Sequence, residues 1–314
     1  LAPVFIVWLG ANMKTIIVNE KNLSIVQENS QRNVMALGFF DGVHCGHRFL
    51  FAQLNELACE RGLKPLIFTF DCHPREILTG VAPAMLTTSM ERQQLLMLHA
   101  EVRVLSFADV QHLTAEQFMR YLQEQEDVEV LLMGYDHHFG SDQLKSCSEY
   151  ENLARNIGLC VERANECLVD GLPVSSTRIR KLLSRGNIQE VNRLLGYEYS
   201  LSGIVEHGNG IGNQIGFPTA NIHIDVAKHL PASGVYTANT QIDGIIYSVL
   251  VNIGHNPTVG NKQLSVEAHI VGYQGDLYGH QLSIHFKDFV RLEQKFASLT
   301  DLQQQIEKDM HILL

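Results

Sequence analysis

The sequence predicts an α/β domain built on a parallel sheet, followed by an all-β domain that a helix closes. Two rhythms and one composition carry that prediction. From residue 34 to about residue 185, short β-rich apolar runs alternate with helical patterns, which implies β-α-β units. From Tyr199 to Phe289 the runs are short and separated by glycine or Asp-Gly turns, which implies antiparallel strands. With 314 residues, 45% apolar and 18% charged, the chain is long enough for two ordinary globular domains and too apolar for a disordered or fibrous one. The expected domains are residues 13–185 and 186–314, with the boundary between Arg185 and Gly196.

The elements justify themselves in order. "LAPVFIVWLGAN" precedes Met13, lacks a basic flank and is too short to span a bilayer. It reads as upstream sequence, with Met13 the expected start and "MKTIIV" a first strand. The parallel strands are "VMALGFF", "PLIFTF", "VRVLSF", "VEVLLMG" and "LCVERA". The helix after the first of them shows Leu50, Leu54, Leu57 and Ala58 on one face and stops at Gly62. Thr88 with Glu91, and Thr114 with Gln117, have capping-box spacing and start two further helices. "STRIRKLLSRG" and "IQEVNRLLG" close the first half. In the second half, Asp243-Gly244 inside "TQIDGIIYSVLVNIG" predicts a hairpin, and a last helix begins at about Ser298.

Charge and cysteine usage exclude whole classes of function. Lys plus Arg number 24 against 34 Asp plus Glu, a net charge of -10, so no basic field gathers a nucleic acid. The six cysteines form no C-x-x-C pair and read as free thiols of a cytoplasmic protein. No stretch reaches the run of apolar residues that a membrane span needs, so no membrane partner is expected.

Two loops carry chemistry. "GFFDGVHCGH" leaves a parallel strand and enters a helix, where unpaired N–H groups and the helix dipole favour a phosphate. Its His44 and His47 could chelate a metal, act as a base, or donate hydrogen bonds to an anion; the lack of a third ligand nearby weakens chelation. "VSSTRIRKLL" opens a helix with Ser175, Ser176 and Thr177 and follows them with Arg178, Arg180 and Lys181, a second set of anion-binding groups. In the all-β half, "GNGIGNQIGFPTANI" is densest in function. Its glycines, among them Gly208, Gly210 and Gly216, allow close backbone approach or unusual turns. Thr219 and Asn221 offer hard oxygen donors that suit Mg²⁺ held jointly with nucleotide phosphates. In "VEAHI", alternation puts Val266, Ala268 and Ile270 on one face, with Glu267 and His269 on the other.

"GFFDGVHCGH", "FTFDCHPREIL", "GYDHHFG" and "VSSTRIRKLL", in this order, resemble the FMN adenylyltransferase module of the bacterial bifunctional riboflavin kinase/FAD synthetases. "PTAN", "GVY", "NIGHNPTV", "VEAHI", "DLYG" and "RLEQKF" resemble the kinase half of the same family. The resemblance runs through residues 14–310. It implies a doubly wound nucleotidyltransferase domain, then a small antiparallel β-barrel kinase domain with a C-terminal helix. It also implies two reactions: riboflavin plus ATP gives FMN plus ADP, and FMN plus ATP gives FAD plus pyrophosphate. ATP and flavins are then the ligands, with Mg²⁺ alongside ATP.

On the matching positions, the resemblance assigns His44, His47 and Arg180 to the charge that gathers on ATP, and Glu267 to the catalytic base of the kinase. Gly42, Gly46, Ser175, Ser176 and Thr177 fall in the nucleotide-binding loops, and Asp136 and Phe139 in the flavin-side segment. Asn252 and Arg291 are further ligand-contact candidates in the barrel. His137 stands where the family pattern has an aromatic residue, a departure that bears on flavin packing. The chemistry fits the residues. A phosphate nucleophile with a second pKa of about 6 needs no strong base, whereas a ribityl alcohol does. The His44–His47 pair therefore reads as anion-binding. A flavin-binding regulator on the same scaffold is the competing reading; it would tolerate loss of His44, His47, Thr219, Asn221 or Glu267, and all of these are intact.

Overall fold

The computed structural model describes residues 4–9, 12–17, 31–135, 137–208, 211–255 and 264–313. At its start, β1 (Val4–Leu9) and β2 (Asn12–Ile17) pair antiparallel as a two-stranded ribbon. "MKTII" is thus a strand, and the segment before it supplies the partner.

The α/β half carries a five-stranded parallel sheet made of β3 (Asn33–Leu37), β4 (Lys64–Phe70), β5 (Glu101–Leu105), β6 (Val128–Met133) and β7 (Cys160–Arg163), in the order β5-β4-β3-β6-β7. The first strand is central and the chain winds outward from it in both directions, which is the doubly wound arrangement. The winding reverses at the β3–β6 pair, and open α/β sheets take their ligands beyond the carboxyl ends of strands at such a reversal. The loop that follows β3 is "GFFDGVHCGH". Val34, Met35, Ala36, Ile67, Val130 and Leu131 are fully buried, as a sheet covered on both faces requires; β5, at the edge, leaves Val104 exposed.

The helices begin where side chains satisfy free N–H groups. α1 (Cys45–Arg61) starts within the histidine loop and ends before Gly62. α2 (Pro74–Thr79) buries no residue. α3 (Ser89–Met97) has the Thr88–Glu91 capping box, and α5 (Ala115–Glu126), after the one-turn α4 (Phe107–Val110), has the Thr114–Gln117 box. α6 (Cys147–Ile157) begins with a further box on Ser146 and Glu149 and ends at a left-handed Gly158. A short hairpin of β8 (Leu168–Val169) and β9 (Leu172–Pro173) leads to α7 (Ser176–Leu183) and α8 (Ile188–Leu195).

The second half is a closed antiparallel barrel. Its strands are β10 (Ser200–Glu206), β11 (Ala220–Ile224), β12 (Gly234–Ile242), β13 (Ile245–His255), β14 (Leu264–Ile270) and β15 (Gln281–Arg291), in the order β10-β11-β14-β13-β12-β15, closed by pairing of β10 with β15. A one-turn α9 (Ile211–Gln214) precedes β11, and α10 (Leu299–Met310), capped by Ser298, ends the chain. The turn between β12 and β13 is Asp243-Gly244 with φ of 50° and 83°, the left-handed pair that a two-residue hairpin needs.

Packing divides the chain into two compact units. One joins Leu1–Leu37, Ala52–Ile67 and Asp109–Ala164; the other joins Gly38–Phe51, Phe68–Ala108 and Asn165–Leu314. In the second unit a continuous apolar core runs from Leu86 through Ile179, Leu183 and Val191 to barrel residues such as Val251, Val266 and Ile284. The same unit buries an ion pair: Lys228 meets Glu91 of the α3 capping box, and its ammonium lies 5.0 Å from the Tyr199 ring centroid. Burial lowers the Lys228 pKa and the Glu91 charge opposes that shift.

Candidate functional site

Asp41 organises the histidine loop. Its residue is 3% exposed, and its carboxylate accepts from the N–H groups of Leu86 and Thr87, from the Thr87 hydroxyl, and from Arg180 at 2.6 Å. A buried carboxylate so supplied with donors is a rigid anchor, whereas an unpaired one would be strongly destabilising. Arg180 also donates through Nε to the Ala84 carbonyl at 2.8 Å. The Ser176 hydroxyl donates to the Asp41 carbonyl at 2.9 Å, so the loop and the start of α7 are brought together. Ser175 caps α7, its hydroxyl accepting from the Arg178 N–H at 3.2 Å, and Thr177 is exposed in the first turn.

The loop is wound tightly. Phe40, Gly42 and Val43 all have positive φ, of 58°, 77° and 36°. Left-handed geometry at Phe40 and Val43 is strained for residues with a Cβ, and such strain gathers at ligand clamps. At Gly42 a Cβ would also lie 2.8 Å from Leu86, so the position needs glycine on two counts. Gly46 lies in the first turn of α1, where a Cβ would lie 3.1 Å from the His44 ring.

The two imidazoles stack, with centroids 3.6 Å apart and planes at 19°. The His47 N–H donates to His44 Nδ1 at 3.3 Å, so the proton of a neutral His44 sits on Nε2. Burial pushes the His44 pKa down to about 4, with Asp41 pulling the other way, and burial, then the His44 charge, holds His47 well below its ordinary value. Both rings are therefore neutral near pH 7, each with one N–H to donate. His47 Nδ1 is buried without a partner among the described residues, an atom that wants a ligand or a water. Among the described residues no group of three His, Cys, Asp or Glu side chains could hold a metal, so the pair has no third ligand of those kinds.

In the first unit, Phe139 packs on Tyr150 at 4.6 Å and on Phe118 at 5.6 Å, and the Tyr150 hydroxyl bonds both its N–H and its carbonyl. His137 lies 6.0 Å from the Phe139 ring, a tilted ring contact of the kind an aromatic residue would make. Asp136 lies outside the described residues, as does Gly210.

The barrel builds its site from register. Asn221 on β11 and Asn252 on β13 are the cross-strand partners of Glu267 on β14, and Val235 on β12 is paired with both Asn252 and Arg291. One row around the barrel thus reads Asn221, Glu267, Asn252, Val235, Arg291. Val266, Ala268 and Ile270 point into the core, so Glu267 and His269 face the other way, as alternation predicts. There Glu267, Asn252, Arg291 and His269 line a cavity of about 290 Å³ that α10 covers with Leu302, Ile306 and Asp309. A second cavity of about 400 Å³ lies beside it, and Thr219 lines both. Burial raises the Glu267 pKa, and a hydrogen bond from Thr219 opposes the shift.

Gly208 packs against the Asn221 side chain so closely that any Cβ would overlap the amide; Gly216 takes φ 81° in the turn after α9. Arg291 is paired: it holds Asp309 of α10 at 2.8 Å, and Gln305 donates to the same carboxylate at 2.8 Å. Sequence reasoning missed Asp41, Thr87 and Asp309. Asp41 stands inside the quoted loop motif, but its partners come from residues 45 and 139 positions away, which no local pattern signals.

Two family models match this chain, one over each half. The riboflavin kinase family model matches residues 195–313, and the FAD synthetase family model matches residues 26–178. A bifunctional riboflavin kinase/FMN adenylyltransferase of Pseudomonas fluorescens is 37% identical over 284 residues, covering 88% of this chain and 90% of that protein. Its namesake in Bacillus subtilis is 33% identical over 309 residues, covering 95% and 96%. A solved structure from Streptococcus pneumoniae, described as a macrolide-efflux protein, superposes with a TM-score of 0.83 at 29% identity, covering 90% of this chain and 94% of that one. Among the described residues of this chain, no helix is long and apolar enough to cross a membrane.

Proposed function

Because this chain belongs to the bifunctional riboflavin kinase/FMN adenylyltransferase family, we propose that its barrel makes FMN and its histidine loop makes FAD, by the steps that follow. The overall conversion is riboflavin plus ATP to FMN plus ADP, then FMN plus ATP to FAD plus pyrophosphate. The division assigns residues 13–185 to adenylylation and 186–314 to phosphorylation.

In the kinase step the ribityl primary hydroxyl attacks the γ-phosphorus of ATP. Its proton passes to the Glu267 carboxylate, the bond from the γ-phosphorus to the bridging oxygen breaks, and ADP leaves. A carboxylate whose pKa burial raises is a better proton acceptor than an exposed one, and the hydroxyl of Thr219, which donates to it, favours its charged form. The hydroxyl of Thr219 and the amide oxygen of Asn221 are hard, neutral donors beside that carboxylate. They suit an Mg²⁺ ion shared with ATP, which would neutralise phosphate charge there. The smaller cavity under α10 takes the flavin, and the larger one beside it takes ATP.

In the adenylylation step a phosphate oxygen of FMN attacks the α-phosphorus of ATP, the α–β bridging bond breaks, and pyrophosphate leaves. No proton need be removed from the nucleophile, which suits two neutral imidazoles. Their N–H groups, the start of α1 and Arg180 donate to the charge that builds on the phosphates. Ser175, Ser176 and Thr177 at the start of α7 supply further donors. Asp136 and Phe139, with His137, are assigned to the flavin side. Six free cysteines accord with a cytoplasmic location, and the acidic net charge argues against a nucleic-acid partner.

The observation that carries this reading is the register that sets Asn221 and Asn252 on either side of Glu267, with Thr219 shared by two cavities. The test supplies MgATP with riboflavin in one tube and with FMN in another, and separates the flavins by chromatography. The parent makes FMN and FAD from the first and FAD from the second. Glu267→Gln should lose about 10²–10⁴-fold of the first conversion, the usual worth of a general base, and keep the second. A Glu267→Gln protein that phosphorylates riboflavin at the parent rate removes the carboxylate from the mechanism.

A further inference from the structure

The segment Phe217–Pro218–Thr219 forms a wall shared by the two barrel cavities. Phe217 and Thr219 face the flavin-sized cavity, and Pro218 and Thr219 face the other. One side of this wall is fixed by α9, where the Phe217 N–H donates to the Gly212 carbonyl at 2.9 Å and a Cβ on Gly212 would overlap the Phe217 carbonyl. The other side has no ladder to hold it. Pro218 has no N–H, and the pairing of β11 with β14 begins only at Ala220 opposite Ala268. Continued by one residue, that register sets Thr219 opposite His269.

His269 fills the gap. Its Nδ1 lies 2.8 Å from the Pro218 carbonyl, and its ring meets Phe217 edge to face at 5.4 Å and 79°. A carbonyl only accepts, so Nδ1 carries the proton. The backbone of His269 is itself fixed by pairing with Leu250 on β13, and it lies two residues from Glu267 on the same face of β14. We propose that His269 is a positioning residue of the kinase: it clamps the Phe217–Pro218–Thr219 wall to β14 and so keeps the Thr219 hydroxyl against Glu267. This inference rests on the reading of Thr219 and Glu267 as kinase groups.

Two substitutions separate the hydrogen bond from the ring. His269→Phe keeps a ring against Phe217 and loses the donor; His269→Asn loses the ring and keeps an N–H donor at the place of Nδ1. Each full-length protein is assayed for riboflavin phosphorylation, for adenylylation of added FMN, and for riboflavin binding without MgATP by quenching of flavin fluorescence. His269→Phe should lose about tenfold in kcat for FMN formation, the rate equivalent of one hydrogen bond. Its FMN adenylylation should stay near the parent's, and the loss should fall on kcat more than on the KM and Kd for riboflavin, whose cavity the ring also lines. His269→Asn should recover the parent kcat. A Phe variant that works and an Asn variant that fails would make the ring's packing the cause and overturn the proposal. Equal failure of both would also overturn it, since it would make the imidazole a group that touches substrate. So would full activity in both. Glu267→Gln, run alongside, keeps the two levels apart: if it retains parent kcat the kinase reading itself falls, and if it fails while His269→Phe works only the clamp falls.

Discussion

Acid should weaken this protein through His44 in a way that a single substitution can isolate. In the unfolded chain the imidazole titrates near 6.5; in the fold burial pushes it to about 4. Between those values the unfolded state takes a proton that the folded state refuses. Stability is therefore fully present above about pH 6.5, falls as the pH drops, and stops falling near pH 4. The gap is worth about 3 kcal/mol over the whole window at ~1.4 kcal/mol per pH unit, a sizeable part of a stability of ~5–15 kcal/mol. His47, which burial also holds well below its ordinary value, acts in the same direction. His44→Asn removes the titration and keeps the local fold, because an Asn oxygen can accept the His47 N–H as His44 Nδ1 does at the start of α1. Urea unfolding of both proteins, followed by circular dichroism at about pH 7 and about pH 5, gives the difference of differences. The parent should lose about 2 kcal/mol more than the variant over that interval, since carboxylates common to both cancel. Equal losses in the two proteins would show that His44 is solvated enough to titrate normally.

His47→Ala should slow FAD formation from FMN by about 10²–10³-fold and leave riboflavin phosphorylation near the parent rate; equal loss of both would make the loop structural. Asp309→Ala leaves a part-buried Arg291 without its carboxylate and should cost about 3 kcal/mol, with a raised KM for riboflavin because α10 covers the flavin-sized cavity. An unchanged denaturation midpoint would show that the pair is effectively solvent-exposed. Removal of Leu1–Asn12 deletes β1 and should spare both activities, since the matched families begin at residue 26; loss of turnover would tie the ribbon to a site.

What the sequence made legible was local. The Thr88 and Thr114 capping boxes, the Asp243-Gly244 turn and the alternation through Glu267 each depend on residues a few positions apart, and each stands in the structure as expected. The row Asn221, Glu267, Asn252 was legible only as separate motifs, because their adjacency depends on which strands pair. "VRVLSF" reads like the other parallel strands, and nothing in it says that β5 takes the edge and exposes Val104. Arg291 reads in the sequence as a ligand contact; its partner Asp309 lies on a helix whose docking no periodicity reports. Asp41 was hidden for the same reason, its donors arriving from Leu86, Thr87 and Arg180.

That last distance has a consequence during synthesis on the ribosome. Arg180 is 139 residues downstream of Asp41, and the Tyr197 hydroxyl that donates to the Gly42 carbonyl is 155 residues downstream. At ~5–20 residues per second, the histidine loop must wait on the order of ten seconds for these partners to emerge, with an acidic side chain that cannot yet be buried. The closing of so long a segment is also a slow, entropically costly event. A nascent chain therefore acquires the strands around its histidine loop early and the loop's final shape late, when the first strand of the barrel is already leaving the exit tunnel.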